Sequence, residues 1–574
     1  MPHRPFSLEH FRQRLAHADA LPQLVILGIL SGLMAGGLIS LFRSADTLLH
    51  IWLLPGGTER FEELDDLHRL LLPVAGSLLL ILLFACVPAH ARSVGIVHML
   101  ERLANYEGRL PAFNLVIQGI AALIALASGH SVGREGPAVH LGAGAGSLLG
   151  QRLSLPNNSL RVLVGCGAAA GIAATFNTPL AAVIFAMEVI LLEYTLIGFL
   201  PIMVAALVGD IVSRALVGEA LVFNAPELSI GELTQLPLIA LLGLLCGLLA
   251  TGFHLLQMQV IKLKHWPFPV RFLLAGLLTG VVALQWPEVM GGGYDTIESL
   301  FNTPKPMLFL AGLLLAKCLL TPIVIGLGIP AGLIGPTLFI GTVAGALLGA
   351  VGALLAGTAH TGLYAMLGMG AMMAALLNAP LAAMLAMLEL TQNTGIILPG
   401  MLAILVANLT TRFGFGLPSI FHASLQRQGL DLRQAPLAQI LSRAAVGSLM
   451  QRDFASTPAQ ITLTEARQLL QQAPHWLLVG TGSRSVLMPP ADLRQHLDSL
   501  TEEHDGLSID LLSMPARRAD LEPLLYRATL KEALNRMQKK QLDYLLVVSN
   551  QDEPLGLISR QQIEEYYNRK QTLS

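Results

Sequence analysis

The sequence predicts an all-α polytopic membrane domain of two inverted repeats with discontinuous helices, followed by a small soluble α/β domain. Three observations predict it. The 574 residues are 53% hydrophobic and only 13% charged, with a mean hydropathy of +0.62, the balance of an integral membrane protein with something soluble attached. Apolar runs fill the chain from about residue 21 to 417, and several are too short to cross a bilayer. Two sequence landmarks in the first half return in the second at nearly one offset.

The long apolar runs are 24–41, 70–87, 196–216, 236–256 and 307–325. A straight span needs roughly 20 apolar residues. Runs 136–149, 180–192, 333–348 and 381–390 fall short and are bounded by Gly and Pro, the mark of broken helices that meet near the midplane. Arg4, Arg12 and Arg14 precede the first span and favour a cytoplasmic N-terminal segment over 1–20. The apolar run behind them is too long for a signal peptide and has no clear cleavage site. Beyond Gly416 the composition turns polar, and nothing after Phe421 reads as a span.

The repeat sets the architecture. Asn177-Thr178-Pro179-Leu180-Ala181-Ala182 is echoed by Asn378-Ala379-Pro380-Leu381-Ala382-Ala383, with Pro380 201 residues after Pro179. Each copy has an acid nine residues after its proline, Glu188 and Glu389. Pro137 pairs in the same way with Pro336 of Gly332-Leu333-Ile334-Gly335-Pro336, 199 residues on. The repeat itself fits parallel or inverted halves, and half-helices facing one midplane site favour the inverted relation. The halves are expected at about 21–220 and 235–425 within a membrane domain of 21–430.

The tail, 431–574, repeats as well. Thr462-x-x-Glu465 and Thr529-x-x-Glu532 each read as a capping box that opens a helix. Strands are expected at 476–479 and 486–488 in the first unit, and at 544–548 and 555–558 in the second. Closing helices are expected from Asp492 and Gln562. The units span about 440–500 and 510–572, near the lower size limit for a freestanding core.

Several classes are excluded. The net charge is −2 with no basic stripe, so nucleic acid is not expected as a partner. Cys86, Cys166, Cys246 and Cys318 lie far apart in apolar sequence, which gives no metal or disulfide spacing. No nucleophile–base pair points to an enzyme. Gly142-Ala143-Gly144-Ala145-Gly146 lacks the spacing and the preceding strand of a dinucleotide loop and reads as close helix packing.

Gly133-Arg134-Glu135-Gly136-Pro137 carries the function. A carboxylate at membrane depth is expensive and usually functional. Pro137 suits the first turn of a helix, so Glu135 stands at a broken helix end whose bare N–H groups attract anions. The acid competes with an anion for that end. The bland alternative is a structural acid paired with Arg134. His130 and His140 flank the motif within reach of tuning it, although interior packing is the commoner role for each. Lys317 sits in an apolar run, where it either adds positive potential to an anion path or is internally paired, the commoner case.

These motifs resemble the CLC family of chloride channels and proton-coupled anion antiporters, across nearly the whole chain, and the tail resembles the paired CBS domains found on many of them. The resemblance implies a homodimer in the membrane lipid, with one path for inorganic anions per subunit and chloride as the transported ion. It implies an integral protein of the bacterial inner (plasma) membrane with both termini cytoplasmic, and no cofactor. Glu135 falls on the gating glutamate. Gly133, Arg134 and Gly136 flank it, and the amides of Leu333 and Ile334 are implied as central-site donors. Gly95 and Ile96 belong to Ser93-Val94-Gly95-Ile96-Val97, where Val94 replaces the anion-coordinating serine. Phe421 replaces the tyrosine that supplies a second hydroxyl. Losing both costs about 1.5–3 kcal/mol each and predicts weak anion binding.

Val189 stands where coupled members carry an internal proton-transfer glutamate, and valine there goes with passive channels. The expectation is passive, channel-like chloride permeation gated by Glu135. The alternatives are chloride/proton antiport by a non-standard inner path, with Glu193 as a substitute, and a membrane-bound sensor read through the tail. Glu188 and Glu389 read as structural acids that cap neighbouring half-helices. In the CBS pair the implied ligand is an adenine nucleotide. Asp492 and Ser559 are its candidate contacts, but Pro489, Pro490 and Gln562 depart from the pattern, so a structural or dimerising role is favoured.

Overall fold

The computed structural model describes residues 20–57, 59–218, 222–356, 360–427, 440–480, 485–499 and 508–571, with Leu15 and Gly429. Arg4, Arg12 and Arg14 lie outside them. Two compact units result, one holding most of 24–432 and one holding 433–574 with short N-terminal and 154–159 pieces.

The membrane unit is helical throughout. Its first half runs α1 (Leu21–Leu53), α2 (Asp66–Cys86), α3 (Gly95–Asn105), α4 (Ala112–Ala127), α5 (Glu135–Arg152), α6 (Asn157–Phe176), α7 (Pro179–Phe185) and α8 (Leu196–Val217). The second runs α9 (Leu236–Val260), α10 (Phe268–Ala283), α11 (Tyr294–Asn302), α12 (Met307–Leu327), α13 (Ile334–Ala356), α14 (Thr361–Leu377), α15 (Pro380–Thr391), α16 (Ile397–Leu409) and α17 (Ile420–Gln426). Among the described residues, eight helical segments are long and apolar enough to cross a membrane.

One expected short element is corrected. The run 333–348 belongs to α13, which continues to Ala356 over 23 residues. Gly349, Ala350, Gly352 and Ala353 dilute the apolar signal without ending the helix, because their small side chains suit close helix contacts. By contrast α7 and α15 are as short as expected, with 7 and 12 residues.

Local geometry repeats with the sequence. Asn177 and Asn378 both take the left-handed conformation, with φ +53° and +54°, which asparagine tolerates better than most residues. Each ends one helix, and Pro179 or Pro380 starts the next at its first turn. In both halves a pair of helices packs through glycine. A Cβ at Gly142 of α5 would collide with the Gly167 carbonyl of α6, and one at Gly341 of α13 with the Gly368 carbonyl of α14.

The inverted relation follows from reciprocal bonds between equivalent residues. Gly133 N–H donates to Gly332 O and Gly332 N–H to Gly133 O, both at 2.7 Å. Glu389 accepts from the amides of Leu180 and Ala181 at 3.0 and 2.8 Å. Glu188 accepts from those of Leu381 and Ala382 at 3.4 and 2.8 Å. Each partner is the other's repeat mate, so a local two-fold axis passes between them. The acids thus cap each other's half-helix, where orphan N–H groups and the helix dipole favour a carboxylate.

The tail unit holds two α/β modules. The first comprises β1 (Phe454–Thr457), β2 (Gln460–Thr462), α18 (Leu463–Gln471), β3 (Trp476–Val479), β4 (Val486–Met488), α19 (Pro490–Ser499), β5 (Ser508–Asp510) and β6 (Ala519–Asp520). The second comprises β7 (Pro523–Leu525), α20 (Leu530–Lys540), β8 (Tyr544–Val548), β9 (Pro554–Ser559) and α21 (Arg560–Gln571). Strands order β1-β3-β4-β6 and β7-β8-β9, with β2 paired to β5. In each module a parallel pair, β1·β3 or β7·β8, is extended by an antiparallel neighbour. Both capping boxes are formed. The closing helices begin two residues earlier than expected, because Pro490 is suited to a first turn and Ser559 bonds the amide of Gln562.

Candidate anion site

Glu135 is the first residue of α5 and is only 1% exposed. The symmetric glycine pair Gly133–Gly332 brings the two breaks together, and the carboxylate lies in the gap between them. A Cβ at Gly332 would stand 2.8 Å from Oε2, and one at Gly335 2.6 Å from Oε1. Glycine here makes room for the acid. Its Oε1 accepts a hydrogen bond from the hydroxyl of Tyr294 on α11. Its Oε2 is buried and has no hydrogen-bond partner among the described residues.

The Tyr294 contact was missed in the sequence, where its signal was the run Gly291-Gly292-Gly293 just before it. Gly293, at φ +75°, starts α11 in a left-handed turn. Buried Lys317 donates from Nζ to the carbonyls of Val289 and Gly291, both at 2.8 Å, and lies 4.7 Å from the Phe339 ring centre. It is internally paired and anchors the loop that presents the tyrosine.

Arg134 does not pair with Glu135: among the described residues no ion pair joins them. Its guanidinium lies 4.6 Å from the ring centre of Tyr294 and 5.6 Å from that of Phe176, the cation–π arrangement. The bland reading of Glu135 as half of a salt bridge therefore fails.

On the other side of the glycine pair is a cavity of about 400 Å³. Six expected residues line it: Val94, Gly95, Ile96, Gly136, Leu333 and Phe421. Three helix starts converge here, those of α3 at Gly95, α5 at Glu135 and α13 at Ile334, and each offers N–H groups without intrahelical partners. Val94 occupies the N-cap of α3 and makes no side-chain cap bond. Ser93 also lines the cavity, and its carbonyl accepts from Asn114 at 2.8 Å. Arg92, Lys264 and Arg271 line the same cavity, against one carboxylate, Glu101. Such an excess of one sign in a low-dielectric cleft concentrates counter-ions. Ile334 instead lines a small, almost wholly apolar pocket of about 40 Å³ beside Glu135, together with Phe185 and Leu390. Gly133 and Arg134 border neither cavity.

Val189 is 2% exposed and lies in a widened π-helical turn, Ala186–Leu191, that continues α7. Its neighbour Glu188 is engaged by α15. Glu193 lies 4.0 Å from Arg161 in an ion pair. His130 is bracketed by the hydroxyls of Ser77 and Ser128 at 3.0 and 2.9 Å, and His140 meets His98 at 3.1 Å.

In the tail, Asp492 accepts from the Arg517 amide at 2.7 Å and from its guanidinium at 3.2 Å. These bonds hold the Asp492 carboxyl below its ordinary range. Ser559 accepts from the Gln562 amide at 3.2 Å and donates to its side-chain oxygen at 3.1 Å.

Fold and site together define an integral membrane protein of two inverted halves, with an acid held where their broken helices meet. Residues 76–412, more than half of the chain, match the Voltage gated chloride channel family, and 520–569 match the CBS domain. The chain belongs to the CLC family of chloride channels and antiporters, whose members are transporters and channels. A ClcB-like chloride channel protein of Ralstonia nicotianae is 33% identical over 379 residues, 64% of this chain and 88% of its own. The chloride channel protein CLC-f of Arabidopsis thaliana is 28% identical over 585 residues, 95% of this chain and 69% of its own. Among solved structures, a slow cyanobacterial Cl−/H+ antiporter aligns with a TM-score of 0.63 and 25% identity, over 71% of this chain and 97% of its own. A eukaryotic CLC transporter aligns with a TM-score of 0.60 and 20% identity, over 94% of this chain and 97% of its own, and shares the fold.

Proposed function

We propose that the chain conducts chloride passively through the basic cavity and past Glu135, which acts as the gate. The observation that carries this reading is the carboxylate itself, buried between two half-helix starts with one oxygen unpaired. A group so placed occupies an anion's position, and it leaves when protonated or displaced. The passive reading rests on Val189, a buried aliphatic side chain that cannot carry a proton, beside a Glu188 already spent on capping. With Val94 and Phe421 in place of hydroxyl ligands, the central site binds anions through main-chain N–H groups and binds them weakly.

The second reading is chloride/proton antiport by a non-standard inner path. It is favoured by the likeness to an antiporter of known structure. The protein works as a homodimer in the bacterial plasma membrane with both termini cytoplasmic, the orientation the N-terminal arginines favour. The tail serves a structural or dimerising role, since Asp492 and Ser559 are both engaged within it, and adenine nucleotide is the ligand class to test there.

Reconstitution of the full chain in liposomes tests the proposal. A chloride gradient drives chloride flux with no uphill proton movement, and Glu135→Gln changes the flux and removes the gate's share of its pH dependence. Stoichiometric proton pumping would replace the channel by the antiporter. A Glu135→Gln protein with an unchanged pH profile would remove the gate.

A further inference from the structure

His98 and His140 form a second buried constellation, which passage past Glu135 leaves unused. His98 lies in the first turns of α3, is 4% exposed and lines the basic cavity. Its Nδ1 is 3.1 Å from Nε2 of His140 on α5, and Arg102 Nε donates to its Nε2 at 3.2 Å. A guanidinium only donates. His98 Nε2 is therefore an acceptor, and the neutral ring carries its proton on Nδ1, where it donates to His140 Nε2. His140 then carries its own proton on Nδ1, which is buried and has no hydrogen-bond partner among the described residues. Every donor in this chain points inward, from Arg102 through His98 to an unmet N–H on α5. His140 follows Glu135 by five residues, about 7.5 Å along the helix axis.

We propose that His98 and His140 are a proton-binding site loaded from the basic cavity, with the proton coming to rest on His140 and adding a positive charge beside the anion path. A proton from cavity water binds His98 Nε2 and displaces the Arg102 N–H. The Nδ1–H bond of His98 breaks as an Nε2–H bond forms on His140. His98 is left neutral with its proton on Nε2, and His140 becomes an imidazolium. Arg102 already rests on the Tyr106 ring, 4.2 Å from its centre, which receives the guanidinium when the bond is lost. Among the described residues, the charged groups facing the pair include Arg102 and Glu101 on α3, with Arg92, Lys264 and Arg271 on the cavity wall. α17, which packs on α3, carries His422. The inference rests on the reading that anions pass here.

The test uses full-length protein in liposomes and chloride efflux at equal pH on both faces. Glu135→Gln as background removes the gate's own titration. In that background, lowering the pH from about 7.5 to about 4, through the ordinary histidine range and below it, raises efflux roughly threefold or more through the added positive potential. His98→Gln and His140→Gln each flatten the response, and Arg102→Gln, by freeing His98 Nε2, moves its midpoint to higher pH. A flat profile in the Glu135→Gln background overturns the proposal, as does a response that survives both histidine substitutions. If a histidine variant does not fold, an unmoved midpoint in Arg102→Gln overturns it. If Glu135→Gln abolishes efflux, the gate reading fails separately, and the same substitutions in the unmodified chain decide the histidine pair.

Discussion

Tyr294 sets the energetics at the residue scale. Its hydroxyl donates to the Glu135 carboxylate, and a bond to a charged group is worth about 1.5–3 kcal/mol. Tyr294→Phe removes the latch and keeps the ring under Arg134. Chloride flux at neutral pH is expected to rise, by about one to two orders of magnitude if the gate limits passage. An unchanged flux would assign the hydroxyl to packing. Val94 and Phe421 act at the cavity side. Val94→Ser and Phe421→Tyr each return a hydroxyl to the wall, and each is expected to tighten chloride binding by about 1.5–3 kcal/mol, read by isothermal titration calorimetry. No gain in affinity would show that the main-chain donors already saturate the ion. At this scale the sequence exposed Glu135, because a carboxylate among glycines is conspicuous. It concealed Tyr294, whose partner lies 159 residues away.

Between elements, the reciprocal caps are the clearest stabilising device. Glu188 closes α15 and Glu389 closes α7, so each acid stabilises the half to which it does not belong. Glu188→Gln or Glu389→Gln removes a charge from a helix N-terminus and is expected to cost about 1 kcal/mol, up to about 2 kcal/mol where partly buried. Thermal melting of the detergent-solubilised protein checks this. The two variants are expected to fall by similar amounts, because each acid accepts from the same two amides of the partner half-helix. A large difference would break the symmetry argument. The nine-residue spacing in each copy was legible as a repeat, and capping was its natural reading. Which helix each acid caps was not legible, since that depends on how the halves face. The end of α13 was misjudged for a related reason: glycine and alanine look like an interruption in a hydropathy profile, yet serve as contact residues in a helix pair.

For the whole molecule, a symmetric membrane unit is joined to a tail of two modules whose candidate nucleotide contacts are already satisfied. Asp492 is bonded by Arg517, and Ser559 by Gln562. ATP is therefore expected to leave chloride flux unchanged, and a saturable effect of ATP that Asp492→Ala abolishes would overturn this. The Asp492 bonds also carry a pH dependence. Its folded-state pKa is depressed, so its contribution to tail stability is present above the unfolded value of about 3.9 and is lost as the pH falls through the folded one. Hydrogen exchange at the Arg517 amide is the local readout. Its protection, taken relative to the intrinsic exchange rate at each pH, is expected to fall in that acid window in the native chain and to be low at all pH values in Asp492→Ala.

Sequence alone determined the class of fold, because membrane burial, helix breaks and a 199–201-residue repeat are each written in local residue patterns. It also determined that the expensive group is Glu135 and that a valine, Val189, directly follows Glu188. Tertiary structure decided what those residues meet. The reciprocal Gly133–Gly332 bonds, the Tyr294 latch, the exchange of capping acids and the oriented chain from Arg102 to His140 all join segments far apart in the chain. Hydrogen bonds between such segments depend on distances of a few tenths of an ångström, and only the packing of the two halves sets these.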